Sequence, residues 1–173
     1  MTIKVLVAYA TKNWSTAEIA RTITDVLKKE GLEAEMRLVS EAGDVQVHDA
    51  VVLGSPLYSG RWHKDARRFA QRNAHTLARR PLWLFSSGPL DATASERDIP
   101  PIPAVSRTLI RLNARGHATF GGCLQEGAKG RVARMIIKSG KGGDFRDFAR
   151  ISAWAEGIGE ALRKQFAVRE GRA

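Results

Sequence analysis

The stretch YATKNWSTAEIA, Tyr9 to Ala20, decides the fold. It follows the apolar, β-branched run Ile3 to Ala8 and passes directly into residues at helical spacing: Ile19, Ile23, Val26 and Leu27. A continuous apolar run of that length fits a strand buried on both faces. Ser15-Thr16-Ala17-Glu18 matches a capping box, with Ser15 as N-cap and Glu18 reaching back to it. Gly31 is placed to end the helix. The turn between strand and helix holds Thr11, Asn13, Ser15 and Thr16. Hydroxyls and an amide at a helix N-terminus are what a phosphate needs, because the free N–H groups and the dipole there favour an anion. Trp14 stands where such a turn usually has glycine.

Outward from this unit the pattern repeats. LEAEMRLV (32–39) alternates strictly, as a half-exposed edge strand does. Nothing clearly helical lies between Val39 and His48. A third strand runs from Ala50 to Gly54 and breaks at Ser55-Pro56. Lys64 to Arg80 reads as one helix with Ala66, Phe69, Ala70, Asn73 and Leu77 inward. Pro81 precedes the fourth strand, PLWLFSSG. Residues 91–103 hold three of the six prolines and read as loop. Val105 to Asn113 reads as helix. Ala118 to Leu124 reads as a fifth strand, weakened by Gly121-Gly122. Residues 125–146 stay open, with Val132 to Lys138 as a short helix among them. Asp147 is placed to cap a last helix carrying Phe148, Ile151, Trp154, Ile158, Leu162 and Phe166. Alternating buried strands and helices predict a parallel sheet covered on both faces. The alternating edge strand comes second in sequence, which fits strand order 2-1-3-4-5.

The totals agree with a single domain over 1–173. A chain of 173 residues with 43% hydrophobic and 27% charged residues can bury a real core. No apolar run approaches the ~20 residues a bilayer needs. The start MTIKVLVAYA reads as a strand and not a signal peptide. The single Cys123 excludes an internal disulfide and points to a reducing compartment, so the expected location is cytoplasmic. With four His and one Cys, no metal site is expected. Cys123 reads as a small buried hydrophobe. The 28 Lys+Arg outnumber the 18 Asp+Glu by ten, and a field of that sign draws anions. Residues 163–173 read as a basic tail. No nucleic-acid motif or basic–aromatic face accompanies the charge, so no nucleic-acid partner is expected.

In a doubly wound sheet, ligands bind beyond the carboxyl ends of the strands at the topological switch point. Three loops leave those ends: Thr11–Thr16, Ser55–Trp62 and Ser86–Leu90. The second offers Tyr58 and Trp62, read as exposed for stacking, and Gly60 for close backbone approach. The third offers Ser86, Ser87 and Gly88 as small donors to a ring edge. Trp83 and Trp154 read as packing, and His63 as a solvent-facing helix start.

YATKNWSTAEIA, VVLGSPLYSGRW (51–62) and WLFSSGPL (83–90) together resemble the three FMN loops of the flavodoxin family. The nearest group is that of flavodoxin-like proteins related to menaquinone-dependent protoporphyrinogen oxidase. GDFRDFARISAWAEGI, Gly143 to Ile158, is similar to the ending of actinobacterial members. The resemblance implies a flavodoxin-like three-layer α/β/α sandwich with FMN as cofactor. It implies phosphate on Thr11, Lys12, Asn13, Trp14, Ser15 and Thr16. It implies the isoalloxazine ring between Pro56, Leu57, Tyr58, Ser59, Gly60, Arg61 and Trp62 on one side and Ser86, Ser87, Gly88, Pro89 and Leu90 on the other. The family loop resembles T-x-x-G-S-T, so Trp14 is the departure: an indole pointing to solvent leaves the amides usable, and one folded inward blocks the phosphate. Arg61 and Lys64, with Asp65 as the nearby acid, would favour the anionic reduced flavin. A unit charge about 4 Å away is worth about 4 kcal/mol at an effective dielectric near 20. The implied activity is electron transfer from an organic donor to a quinone. No side chain is marked as an acid or base. Two other readings stand beside it: a basic electron-carrier flavodoxin with a protein partner, and a binding module that has lost FMN through Trp14. The partners implied are a quinone or an anionic organic substrate. A membrane surface contacted peripherally and a second copy in a homodimer are also allowed.

Overall fold

The computed structural model describes residues 2–12, 15–88, 92–124, 134–135, 138 and 143–172. Asn13, Trp14, Pro89, Leu90 and most of the 125–142 segment lie outside the described residues; of the expected helix at 132–138, Arg134, Met135 and Lys138 are helical and the rest lies outside.

Five strands form the main parallel sheet: β1 (Lys4–Tyr9), β2 (Glu33–Leu38), β3 (Ala50–Tyr58), β5 (Leu82–Ser87) and β6 (Gly116–Phe120). Their order is β2-β1-β3-β5-β6, the expected 2-1-3-4-5 once a short extra strand is counted. That strand is β4 (Arg61–Trp62), antiparallel to the end of β3 through Leu57↔Trp62 and Tyr58↔Arg61. β1 lies between β2 and β3, with Val5 level with Ala34 on one side and Ala50 on the other.

Period-2 alternation splits each central strand between two cores. Val5, Val7 and Tyr9 face one layer, which α1 (Ser15–Lys29) and α6 (Phe148–Glu170) close with Ile19, Ile23, Leu27, Ile151, Ile158 and Leu162. Leu6 and Ala8 face the other, closed by α2 (Lys64–Arg72), α3 (Ala74–Ala78) and, after the one-turn helix α4 (Thr93–Glu96) in the stretch read as loop, α5 (Pro103–Arg111), through Phe69, Leu77 and Val105. Trp83 is buried, and Trp154 packs edge-on against Phe120 and Phe85 at centroid distances of 5.5 and 6.2 Å. Phe85 lies over Gly54, where an added Cβ would fall 2.0 Å from its ring.

Several expectations are corrected. The helix expected over Lys64–Arg80 breaks at Asn73, whose backbone N–H and side-chain amide both donate to the Phe69 carbonyl. One 3₁₀ turn, Val45–Val47, stands in the segment read as irregular, capped by the Asp44 carboxylate on the Gln46 N–H. The fifth strand starts earlier, at Gly116, and ends at Phe120. Cys123–Leu124 forms a separate strand, β7, antiparallel to β8 (Gly143–Asp144). Gly121 separates them because the Phe145 carbonyl oxygen passes 1.8 Å from where its Cβ would stand. Ser15 is the first residue of α1, and the Glu18 carboxylate is held by Arg146 at 2.8 Å instead of closing a capping box. Asp147 caps α6 as expected, accepting from the N–H groups of Ala149 and Arg150. The basic stretch from Arg163 is no loose tail. It continues α6 to Glu170, with Arg163 bound to Glu30, one residue past the end of α1. Among the described residues no helix is long and apolar enough to cross a membrane.

Candidate functional site

β1 and β3 are neighbours whose connections leave in opposite directions, so the switch point lies between their carboxyl ends. A crevice of about 140 Å³ opens there, lined by Ser15, Pro56, Leu57, Tyr58, Ser59, Ser87, Gly88, Gly122, Cys123 and Leu124. All three predicted loops contribute to it. Tight contacts hold them together. Thr16 Oγ1 and Ser87 Oγ, both buried, are 3.0 Å apart and fasten the start of α1 to the end of β5. Lys12 Nζ lies 5.3 Å from the Tyr58 ring centre and joins the first loop to the second. An added Cβ on Gly88 would sit 3.0 Å from the Leu57 side chain, so glycine at 88 lets the second and third loops pack closely.

The second loop is a hairpin. Ser59 and Gly60 both have positive φ, 50° and 72°, as the two central residues of a type I′ turn require. Gly60 therefore serves the turn. Trp62 is 4% exposed and corrects the expectation of an exposed stacking surface. Its ring belongs to the α2/α5 core, and its Nε1–H donates to Ser86 Oγ at 2.8 Å. Tyr58 is half-buried and lines the crevice. Arg61 projects into solvent on the opposite strand of the hairpin. His63 starts α2 as expected, with Nδ1 accepting from the Asp65 N–H.

The third loop also differs from its reading as a set of free donors. Ser86 Oγ lies between Trp62 Nε1 and His117 Nε2, 3.0 Å from the latter. Ser87 Oγ faces Thr16, and the Gly88 N–H donates to the Phe120 carbonyl. These groups fix the loops and are already engaged. Burial pushes His117 down to about 4, so its ring is neutral at physiological pH.

In the first loop, Thr11 Oγ1 is buried with no hydrogen-bond partner, Lys12 is exposed and Ser15 opens into the crevice. An orphaned buried hydroxyl costs free energy in the ligand-free protein, so its position beside a helix N-terminus marks a place for an acceptor oxygen.

Sequence reasoning missed the wall formed by Gly122, Cys123 and Leu124, and it missed Arg146. Cys123 is half-buried and lines the crevice, where burial is the main cause raising its thiol pKa. Arg146 is tied to both Asp144 carboxylate oxygens and to Glu18, and it approaches the Ser15 carbonyl at 3.5 Å. Asp144 is held below the usual carboxylate range by those bonds. The only signal in the sequence was the GDFRDF motif that carries both residues.

This sheet order, with a crevice between the first, third and fourth sheet strands, defines the class. The family model described as Flavodoxin domain matches residues 6–142, and the chain belongs to that family. Its members bind FMN, and the residues present fit that group: the Thr11 hydroxyl and Ser15 at the start of α1 suit the phosphate, and Leu57, Tyr58 and Gly88 form a slot for a flat ring. Protoporphyrinogen IX dehydrogenase [quinone] from Escherichia coli strain K12 is 28% identical over 86 residues, 49% of this chain and 48% of that protein. The match thus spans about half the length of that curated relative. Among solved structures, a flavodoxin from the domain Archaea superposes with a TM-score of 0.64 at 9% identity, covering 93% of this chain and 99% of that one. Flavodoxin 2 from Bacillus cereus gives 0.60 at 20% identity, covering 92% and 99%. Rubredoxin oxygen:oxidoreductase from Desulfovibrio gigas gives 0.62 at 13% identity, covering 95% of this chain and 37% of its own.

Proposed function

We propose that the protein is an FMN-dependent oxidoreductase of the protoporphyrinogen-oxidase type. It passes electrons from a reduced, carboxylate-bearing organic donor to a quinone. In each turn two electrons and two protons leave the donor and convert the quinone to its quinol. Three turns would carry a porphyrinogen to a porphyrin. FMN supplies the redox chemistry when bound, and this chain supplies position and field.

The observation that carries this reading is the charge around the crevice. Arg61 pairs with Tyr58 across the hairpin, Lys12 lies over the Tyr58 ring, and the nearby Asp65 is drawn towards His63 at 3.6 Å. A cationic rim favours a reduced, anionic flavin and raises its potential. It also attracts an anionic donor. A low-potential carrier needs the opposite field. Solvent screens Arg61, so the effect on potential is the sum of several modest contributions. Leu57 and Tyr58 would flank the ring, Thr11 and Ser15 would hold the phosphate, and the Trp62–Ser86–His117 chain would keep the hairpin against the sheet. The relation to the quinone-linked enzyme from Escherichia coli supports the same donor and acceptor classes.

The test begins with an absorption spectrum before and after addition of FMN and desalting. Retained flavin bands, followed by fast oxidation of protoporphyrinogen IX with a menaquinone analogue as acceptor, are the expected result. Colourless protein that also refuses added FMN would overturn the reading and favour closure of the first loop by Trp14. A Trp14→Gly variant that then takes up FMN would identify that residue as the cause.

A further inference from the structure

Beside the hairpin, a groove of about 520 Å³ runs between α2 and α5. That volume lies within the range of small-molecule sites. Four arginines line it: Arg61 from β4, Arg67 from α2, and Arg107 and Arg111 from α5. No carboxylate lines it, and among the described residues none of the four makes an ion pair. Arg107 and Arg111 stand four apart on one helix, a spacing that puts their side chains together and makes like charges repel. Arg67 is held in place by its Nε–H, which donates to the Trp62 carbonyl at 3.2 Å. The floor is apolar, from Ala70 and Val105, and Trp62 forms the wall shared with the hairpin. Uncompensated cations over an apolar floor suit a ligand with an apolar body and separated negative groups. A single compact anion would leave most of the floor and half of the arginines unused.

We propose that this groove is the carboxylate subsite for the electron donor: a planar tetrapyrrole lies across the Tyr58–Arg61 hairpin with its propionates among Arg61, Arg67, Arg107 and Arg111. Continuity carries the assignment, because Tyr58 of the crevice and Arg61 of the groove are the cross-strand pair that flanks the Ser59-Gly60 turn. The inference rests on the donor class proposed above, and its test is separable from FMN binding.

The probes are deuteroporphyrin IX, a dicarboxylate, and its dimethyl ester, which has the same body without the charges. Binding is followed by porphyrin fluorescence in 0.1 M salt, with bound flavin quantified separately by absorbance. On the unmodified protein the diacid should bind at least about tenfold more tightly than the ester, as charge-assisted bonds to guanidinium groups require. The double variant Arg107→Gln, Arg111→Gln should lose that preference and leave ester affinity unchanged. The control Arg68→Gln, Arg72→Gln removes the same charge at the same helical spacing from exposed positions outside the groove. It should keep the preference. Equal affinities for diacid and ester, or equal losses in both variants, would overturn the proposal. Arginine-dependent porphyrin binding in protein that takes no FMN would uphold the subsite while the oxidoreductase reading fails. Normal FMN binding without any diacid preference would do the reverse.

Discussion

Replacing Thr11 with valine should push stability and cofactor affinity in opposite directions. Thr11 Oγ1 is buried without a hydrogen-bond partner. Leaving a buried hydroxyl unsatisfied costs about 1–3 kcal/mol, and valine keeps nearly the same shape without that cost. The flavin-free Thr11→Val protein should therefore be more stable by about 1 kcal/mol, or a melting temperature about 2–4 °C higher for a chain of this size. The same change removes a donor from the first loop, so FMN should bind about tenfold more weakly, a loss of about 1.4 kcal/mol. Differential scanning calorimetry of the flavin-free protein and titration with FMN by fluorescence quenching read the two effects independently. Thr11→Ser restores the hydroxyl and should return both quantities towards the parent values. A lower melting temperature in flavin-free Thr11→Val, or an FMN affinity within twofold of the parent, would refute the assignment of this hydroxyl to the cofactor.

Acid sensitivity should trace to His117. Its folded pKa, about 4, lies below the ordinary 6.5, so the unfolded chain takes up the proton first and stability falls as the pH drops through 6.5 towards 4. Between pH 7 and pH 5 the loss should be about 2 kcal/mol by urea unfolding. His117→Gln should lack it, and parallel acid limbs would exclude His117 as the source. The raised pKa of Cys123 leaves little thiolate at neutral pH. Maleimide labelling at pH 7 should run slower than for a free thiol, and slower again with FMN in the crevice. An unchanged rate on adding FMN would place the cofactor elsewhere. Gly121→Ala puts a Cβ against the Phe145 carbonyl and should cost about 3 kcal/mol, releasing the β8 segment and weakening FMN while helix content by circular dichroism persists. Unaltered FMN affinity would mean that the 143–147 segment does not support the site.

The parts of this fold that could be read from the chain are those with local causes. Ile3–Ala8, with its β-branched run, specifies a doubly buried strand, and the alternating 32–39 stretch an edge. Switch-point chemistry then selects the three loops. What escaped depends on partners remote in sequence. Ser59-Gly60 is a turn signal, yet its reading as a hairpin needed Trp62 to bury its ring, and the indole's partner, Ser86, lies 24 residues on. The hydroxyls of Ser86 and Ser87 looked free because Trp62, His117 and Thr16 reach them only across the sheet. Asn73 carries no helix-breaking signal as strong as proline, and it ends α2 through bonds to Phe69. The arginine groove was invisible because Arg61, Arg67, Arg107 and Arg111 are dispersed over fifty residues and converge only when α5 lies beside α2.

Arg146 sets an order of events for the newborn chain. The loop and helix start that would hold the phosphate are synthesised first, and the side chain clasping Glu18 at that helix comes 128 residues later. At ordinary translation speeds that gap lasts about 6–25 s. A nascent chain thus carries its anion cradle without the clasp for the whole of that interval. Cofactor capture becomes secure only once Arg146 has emerged, so newly made protein should meet its flavin as a folded domain and not during that interval.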